Sequence, residues 1–343
     1  METIFGKATE ENLNRAARIL RDGGLVAFPT ETVYGLGGNA LLAGAAEAIY
    51  AAKGRPSDNP LIIHLSEPED AERYAVTNAL YYRLADAFMP GPITVILPKR
   101  DCIPYSVTGG LDTVAVRVPV HPVAHALIGK AGVPVAAPSA NLSGRPSPTT
   151  ADHVREDLYG RVDMIIDGGP CDIGVESTIV RIDGEDALTL CRPGAVTVED
   201  LRGICSSVTL DKAVTEKLGE GDRPVAPGMK YRHYAPASPV VLIDGEHGAA
   251  IAYIKEHLTP EVGVICYDED EDKLSGAGMI RSVGEIADTE AHAHALFDVL
   301  REFDSHPEIK KIYSFLPGKD GISLAVYNRF IKAAGFNIIE VRN

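Results

Sequence analysis

Short apolar runs that end in turns of small or hydroxyl-bearing residues set the strongest limit on how this chain folds. Leu25-Val26-Ala27-Phe28, Leu61-Ile62-Ile63, Ile93-Thr94-Val95-Ile96-Leu97 and Thr113-Val114-Ala115-Val116-Arg117-Val118 read as strands. So do residues 133–137, 164–166, 177–182 and 187–190. Helical periodicity is sparser: 10–21, with Leu13, Ala16, Ala17 and Leu20 on one face, then 45–52, 121–130, 151–158 and 198–204. Strands outnumber the helices between them, so the first two hundred residues predict a mixed α+β sheet and not a regular βαβ array. From residue 240 the pattern alternates: strands at 240–243 and 262–266 flank a helix at 249–257, a helix at 290–303 precedes a strand at 311–315, and a helix at 325–334 precedes one at 338–341. That alternation predicts a small, mostly parallel α/β domain. The expected divisions are 1–205, a connecting segment 206–236, and 237–343.

Between the two patterns, residues 219–236 are broken by Pro and Gly and include Lys230-Tyr231-Arg232-His233-Tyr234. Long unstructured connections are usually linkers or functional loops. Side chains suited to stacking and phosphate contact favour a lid over an anion site.

The forced turn at Lys53-Gly54-Arg55-Pro56 points to such a site. The Ala-rich run before it favours helix, Gly54 can end that helix in a left-handed turn, and Pro56 cannot continue it. Lys53 and Arg55 are thereby held beside the buried run at 61–63, followed by His64, where a polyanion can be gripped; alternatively they only complement the helix dipole. Three segments share the character of a strand ending in small donors: Pro29–Leu36 as Pro-Thr-Glu-Thr-Val-Tyr-Gly-Leu, residues 136–144 around Ser139 and Asn141, and Glu176-Ser177-Thr178; Arg192-Pro193-Gly194 is a fourth. Exposed backbone N–H groups at such turns approach phosphate or carboxylate closely. Arg117 stands in an otherwise apolar strand, where an unpaired charge is expensive, so it requires an anionic partner from the protein or a ligand. His64 at a strand end reads equally as a structural histidine. Ser139 and Ser177 lack a GxSxG setting, and no HExxH or joint histidine pair suggests a metal.

Charge narrows the partners. The net charge of −15 opposes a large nucleic-acid footprint. Residues 237–343 hold 10 Lys/Arg against 18 Asp/Glu, so an anion site belongs in the N-terminal part. The acidic run Asp268-Glu269-Asp270-Glu271-Asp272 reads as a solvated loop. Five cysteines, never closer than 14 positions, exclude CxxC zinc or redox motifs and read as buried or inert thiols. No apolar run spans a bilayer and no secretory signal opens the chain, so a cytoplasmic, membrane-free protein is expected.

Taken together these segments, from residue 20 to 236, resemble the threonylcarbamoyl-AMP synthase family in its long form, with a YrdC-like catalytic domain and a C-terminal accessory domain. The resemblance implies a twisted, open α/β sheet with a concave cationic surface and a small Rossmann-like second domain. It implies that L-threonine, bicarbonate and ATP yield L-threonylcarbamoyladenylate and pyrophosphate, for threonylcarbamoyladenosine at position 37 of tRNAs reading ANN codons. It places L-threonine on Thr32, His64, Arg117, Ala137 and Ser177, and ATP on Arg55, Asn59, Thr113, Ser139, Ser147, Arg192 and Tyr234. Lys53 and Arg55 neutralise charge in the reaction, Mg²⁺ arrives with ATP, and a separate tRNA threonylcarbamoyl transferase receives the product. Loss of Arg55 is expected to lower turnover by at least about one to two orders of magnitude, and by more if it acts only in the transition state. Two alternatives stay open on residues alone: a carbamoyl-adenylate-forming YrdC relative, and an RNA-binding module.

Overall fold

The computed structural model describes residues 2–217, 219 and 234–342. Contacts divide the chain into two compact units, Met1–Ser143 with Ser147–Lys230, and Gly144–Pro146 with Tyr231–Asn343.

The first unit is built on an 11-stranded mixed sheet. Across it the strands run Ile4–Lys7, Met164–Asp167, Val26–Phe28, Gly35–Asn39, Val135–Ala136, Ile62–His64, Thr113–Arg117, Ile93–Pro98, Thr178–Ile182, Ala187–Arg192 and Ser207–Leu210. Helix Glu10–Arg21 starts where the Thr9 hydroxyl accepts from the Asn12 N–H, satisfying one orphan donor of the first turn. Its buried face, Leu13, Ala16, Ala17 and Leu20, packs with Leu127, Ile128 and Ala131 of helix Pro122–Ala131 over Val26, Phe28 and Val135 of the sheet.

Helix Ala43–Lys53 ends as its sequence demands. Gly54 takes φ 62°, and its N–H bonds back to the helix carbonyls of Tyr50 and Ala51. The chain is then free to turn towards strand Ile62–His64.

Elements of both units escape the periodicity reading, strand Met279–Ser282 among them. Strand Gly35–Asn39 is wholly buried, but its sequence Gly-Leu-Gly-Gly-Asn carries little β signal. Helix Ala79–Phe88, capped by Asn78, and edge strand Ile4–Lys7 were also not marked by the pattern. The expected connecting segment 206–236 needs correction at its start. Ser207–Leu210 is a strand, parallel to Ala187–Arg192, and a 3-10 turn at Lys212–Val214 follows it. Residues 220–233, where most of the expected lid falls, lie outside the described residues.

The second unit holds a five-stranded, all-parallel sheet in the order Met279–Ser282, Val262–Cys266, Lys311–Phe315, Val240–Asp244, Ile338–Glu340. Helices His247–Glu256, Thr289–Asp304 and Ser323–Ala333 connect these strands, the crossover arrangement that parallel pairing requires. Its acidic loop corrects one expectation. Asp270 is fully buried, with His247 Nε2 at 3.0 Å and Lys273 Nζ at 2.9 Å, while its acidic neighbours stay exposed. Among the cysteines, Cys171, Cys191, Cys205 and Cys266 are buried and Cys102 is exposed. Burial pushes the Cys191 and Cys266 thiols up to about 12, which leaves them protonated and inert at neutral pH. No helix among the described residues is long and apolar enough to cross a membrane.

Candidate active site

Strand pairing in the first unit sets Ile62 against Ala115 and His64 against Arg117. Side chains alternate between faces along a strand, so these four share one face. Ile62, Ala115, Ile96, Ile179 and Cys191 form an apolar floor there with Ala213. Two residues along each strand, the floor gives way to polar groups. His64 follows Ile62, Arg117 follows Ala115, and Thr94 and Ser177 precede Ile96 and Ile179, with their hydroxyls 2.8 Å apart.

Arg117 has the anionic partner its setting demanded. Its Nη2 lies 2.6 Å from Glu31 Oε1, and the two side chains are 5% and 4% exposed. Glu31 comes from the turn after strand Val26–Phe28, which is shaped by one hydroxyl. Thr30 Oγ1 donates to the Val33 carbonyl at 2.7 Å, lies 2.9 Å from Thr32 Oγ1, and accepts from the Thr32 N–H at 3.2 Å. The Ile173 N–H fixes the Glu31 carbonyl at 2.9 Å, and the Gly174 N–H fixes that of Thr32 at 3.2 Å.

His64 Nδ1 is 3.3 Å from the Val135 carbonyl, an acceptor only, so that nitrogen carries the ring proton and Nε2 keeps its lone pair. Burial, reinforced by the Arg117 charge, holds its pKa down to about 3. Ala137 adjoins it across the sheet, with its N–H on the Ile62 carbonyl at 2.9 Å.

Ser177 is clamped by Arg192, which donates Nε to the Ser177 carbonyl at 3.0 Å and Nη2 to its hydroxyl at 3.1 Å. The turn after Arg192 passes so close that a Cβ on Gly194 would lie 2.5 Å from the Thr178 nitrogen and 2.8 Å from the Glu176 carbonyl. Only glycine fits there. Beside it, the buried Ser147 hydroxyl donates to Glu176 Oε1 at 2.6 Å.

Lys53 is held by the loop around Ser139 and Asn141. Its ammonium is buried and donates to the Ser139 carbonyl, to the Asn141 carbonyl at 2.6 Å and to Asn141 Oδ1 at 3.3 Å. Ser139 Oγ donates to the same Oδ1 at 2.5 Å. Lys53 thus shapes the loop that presents Ser139. Arg55, half-buried, turns Nη2 to the carbonyls of Asn59 at 3.4 Å and Pro60 at 3.2 Å. Asn59 is 1% exposed and its Oδ1 has no hydrogen-bond partner. Thr113 lies on the Arg117 face of its own strand, four residues or roughly 13 Å away.

The structure therefore gathers Thr32, His64, Arg117, Ala137 and Ser177 at one end of the floor, with Arg192 bonded to Ser177. Arg55 with Asn59, Ser139 with Lys53, and Ser147 with Glu176 form further contacts in the same unit. Tyr234 belongs to the second unit, where it is buried, stacked on Phe297 at 5.1 Å, and faced by the Arg329 guanidinium at 6.0 Å. Sequence reasoning missed Glu31 and Thr94. A carboxylate between two threonines at a strand end was the available signal for Glu31.

An open mixed α/β sheet with a buried arginine–carboxylate pair and a fringe of hydroxyl groups makes this end of the first unit a candidate site for a small charged ligand. Comparison with known proteins gives the class of protein. The Sua5/YciO/YrdC family, described as Telomere recombination, matches residues 18–194, and Threonylcarbamoyl-AMP synthase, C-terminal domain, matches residues 196–335. The threonylcarbamoyl-AMP synthase of Bacillus subtilis is 44% identical over 337 residues, covering 96% of this chain and 95% of the relative. That of Pyrococcus abyssi is 43% identical over 353 residues, covering 97% and 96%. The crystal structure of P. abyssi Sua5 complexed with L-threonine superimposes with a TM-score of 0.88 at 42% identity, covering 99% of both chains. The chain belongs to the threonylcarbamoyl-AMP synthase family.

Proposed function

We infer that this chain condenses L-threonine, bicarbonate and ATP into L-threonylcarbamoyladenylate and pyrophosphate. The observation that carries the reading is the buried Arg117–Glu31 pair at the end of the apolar floor, beside His64 and Ser177. A guanidinium in that position is the natural fork for an amino-acid carboxylate. The likeness to a structure containing L-threonine supports it.

The chemistry requires the threonine amine to attack the carbon source and the carbamate oxygen to attack the α-phosphorus, with pyrophosphate leaving. Neither step needs a covalent enzyme intermediate, so alignment and charge neutralisation supply the catalysis. Thr32, His64, Arg117, Ala137 and Ser177 hold threonine. Arg55, Asn59, Thr113, Ser139, Ser147 and Arg192 hold ATP, and Lys53 acts through the Ser139 loop. Tyr234 completes the nucleotide set on the sequence resemblance alone. The Arg192–Ser177 contact joins the two sets, so each substrate steadies the other's partner.

Mg²⁺ arriving with ATP would neutralise phosphate charge, held largely by phosphate oxygens and water. The adenylate is handed to a separate transferase acting at position 37 of tRNAs that read ANN codons.

The test is pyrophosphate release from ATP in bicarbonate buffer, without RNA. Release that requires threonine supports the reading. Release with carbamoyl phosphate in place of threonine, or RNA affinity without turnover, would replace it with the corresponding alternative.

A further inference from the structure

We propose that Glu31 receives the threonine ammonium group and accepts a proton from it during carbamate formation. The inference rests on the threonine-activating function above and adds a residue to it. Two complementary atoms carry it. Arg117 Nε, a donor, and Glu31 Oε2, an acceptor, are both buried and both lack a hydrogen-bond partner. They belong to side chains that already share one contact, Nη2 to Oε1 at 2.6 Å. Buried polar atoms are nearly always paired, so an unpaired donor and an unpaired acceptor in one ion pair describe a missing ligand with both features. An α-amino acid zwitterion has them: the carboxylate meets Arg117 Nε and the ammonium meets Glu31 Oε2. The pair is neutral as a whole, so it admits a zwitterion without adding net charge to a buried place.

The turn holds Glu31 ready for this role. Its carbonyl is tied to the Ile173 N–H at 2.9 Å, and the Thr30 hydroxyl braces Thr32 and Val33, which follow it. In the step itself the nitrogen lone pair forms the N–C bond to bicarbonate. One ammonium proton passes to Glu31 Oε2, and a second leaves with the bicarbonate hydroxyl as water. The product is the threonine carbamate, and Glu31 returns its proton to solvent.

The experiment is calorimetric titration of the full chain with L-threonine and with 3-hydroxybutyrate, which keeps the carboxylate and hydroxyl but lacks the amine. The wild-type chain should prefer threonine on the order of 10–100-fold, the range of a charge-assisted hydrogen bond. Glu31→Gln should abolish that preference and lower threonine-dependent pyrophosphate release on the order of 100-fold or more. Glu31→Asp, which keeps the charge, should retain the preference even where turnover falls. A Gln variant that still prefers threonine, or turns over within about threefold of wild type, overturns the proposal. Loss of preference in Asp and Gln alike also overturns it, because the residue would then only support Arg117. If the Gln variant does not fold, the wild-type comparison decides, and equal binding of the two compounds overturns the proposal. A wild-type chain that neither binds threonine nor needs it for pyrophosphate release refutes the function itself, which separates the two failures.

Discussion

His64 and Arg117 are register partners on adjacent parallel strands, an imidazole held neutral beside a guanidinium paired to Glu31. The pairing has a pH signature. The folded pKa of His64 is about 3, below the ordinary value of 6.5, so the unfolded chain takes up its proton first as pH falls. The stability tied to neutral His64 is complete above about pH 6.5 and erodes as pH falls from there towards 3. At pH 4.5 the loss should be about 3 kcal/mol, and His64→Gln should remove it. Urea unfolding of both proteins between pH 4.5 and 7.5 checks this; parallel curves for the two would count against it.

Lys53 should behave as a support for its loop. Lys53→Met leaves the Ser139 and Asn141 carbonyls without their shared donor, which should cost about 2–3 kcal/mol and raise the KM for ATP more than that for threonine. Thermal unfolding with steady-state kinetics tests the pairing of effects. A stable variant that loses only kcat would instead place the ammonium on the reacting groups.

Arg192 grips Ser177 through both its carbonyl and its hydroxyl. Arg192→Lys cannot reproduce the fork, so the KM values of ATP and threonine should rise together, each by roughly tenfold. Varying each substrate at fixed levels of the other measures this. An effect on ATP alone would show that the two sites are independent.

Gly54 ends its helix at φ 62° with open space where a Cβ would stand. Gly54→Val should therefore destabilise through backbone strain alone, by about 1–2 kcal/mol, and Gly54→Ala by about 1 kcal/mol. Chemical denaturation reads both values. Equal stability of all three proteins would contradict the left-handed cap.

Much of the site is legible in the sequence. Arg117 announced itself as a charge in an apolar strand, and Gly54 with Pro56 forced the chain to turn beside residues 61–63. What stayed hidden was of two kinds. Strand Gly35–Asn39 has glycines where strand signals come from side chains, so only its neighbours on either side make it a strand. Glu31 looked like one polar residue in a turn, since its partner Arg117 is 86 positions away. The sequence shows only the charge of Lys53, and the direction of its ammonium is decided by Ser139 and Asn141, more than 80 positions on.

Local chemistry thus determined where helices stop, where apolar runs become strands, and which charges need a counterpart, because caps, turns and side-chain alternation act over a few residues. Tertiary structure alone decided which counterpart each charge found and which oxygen and nitrogen were left over. Those are distances between segments far apart in the chain, and no short-range rule of sequence contains them.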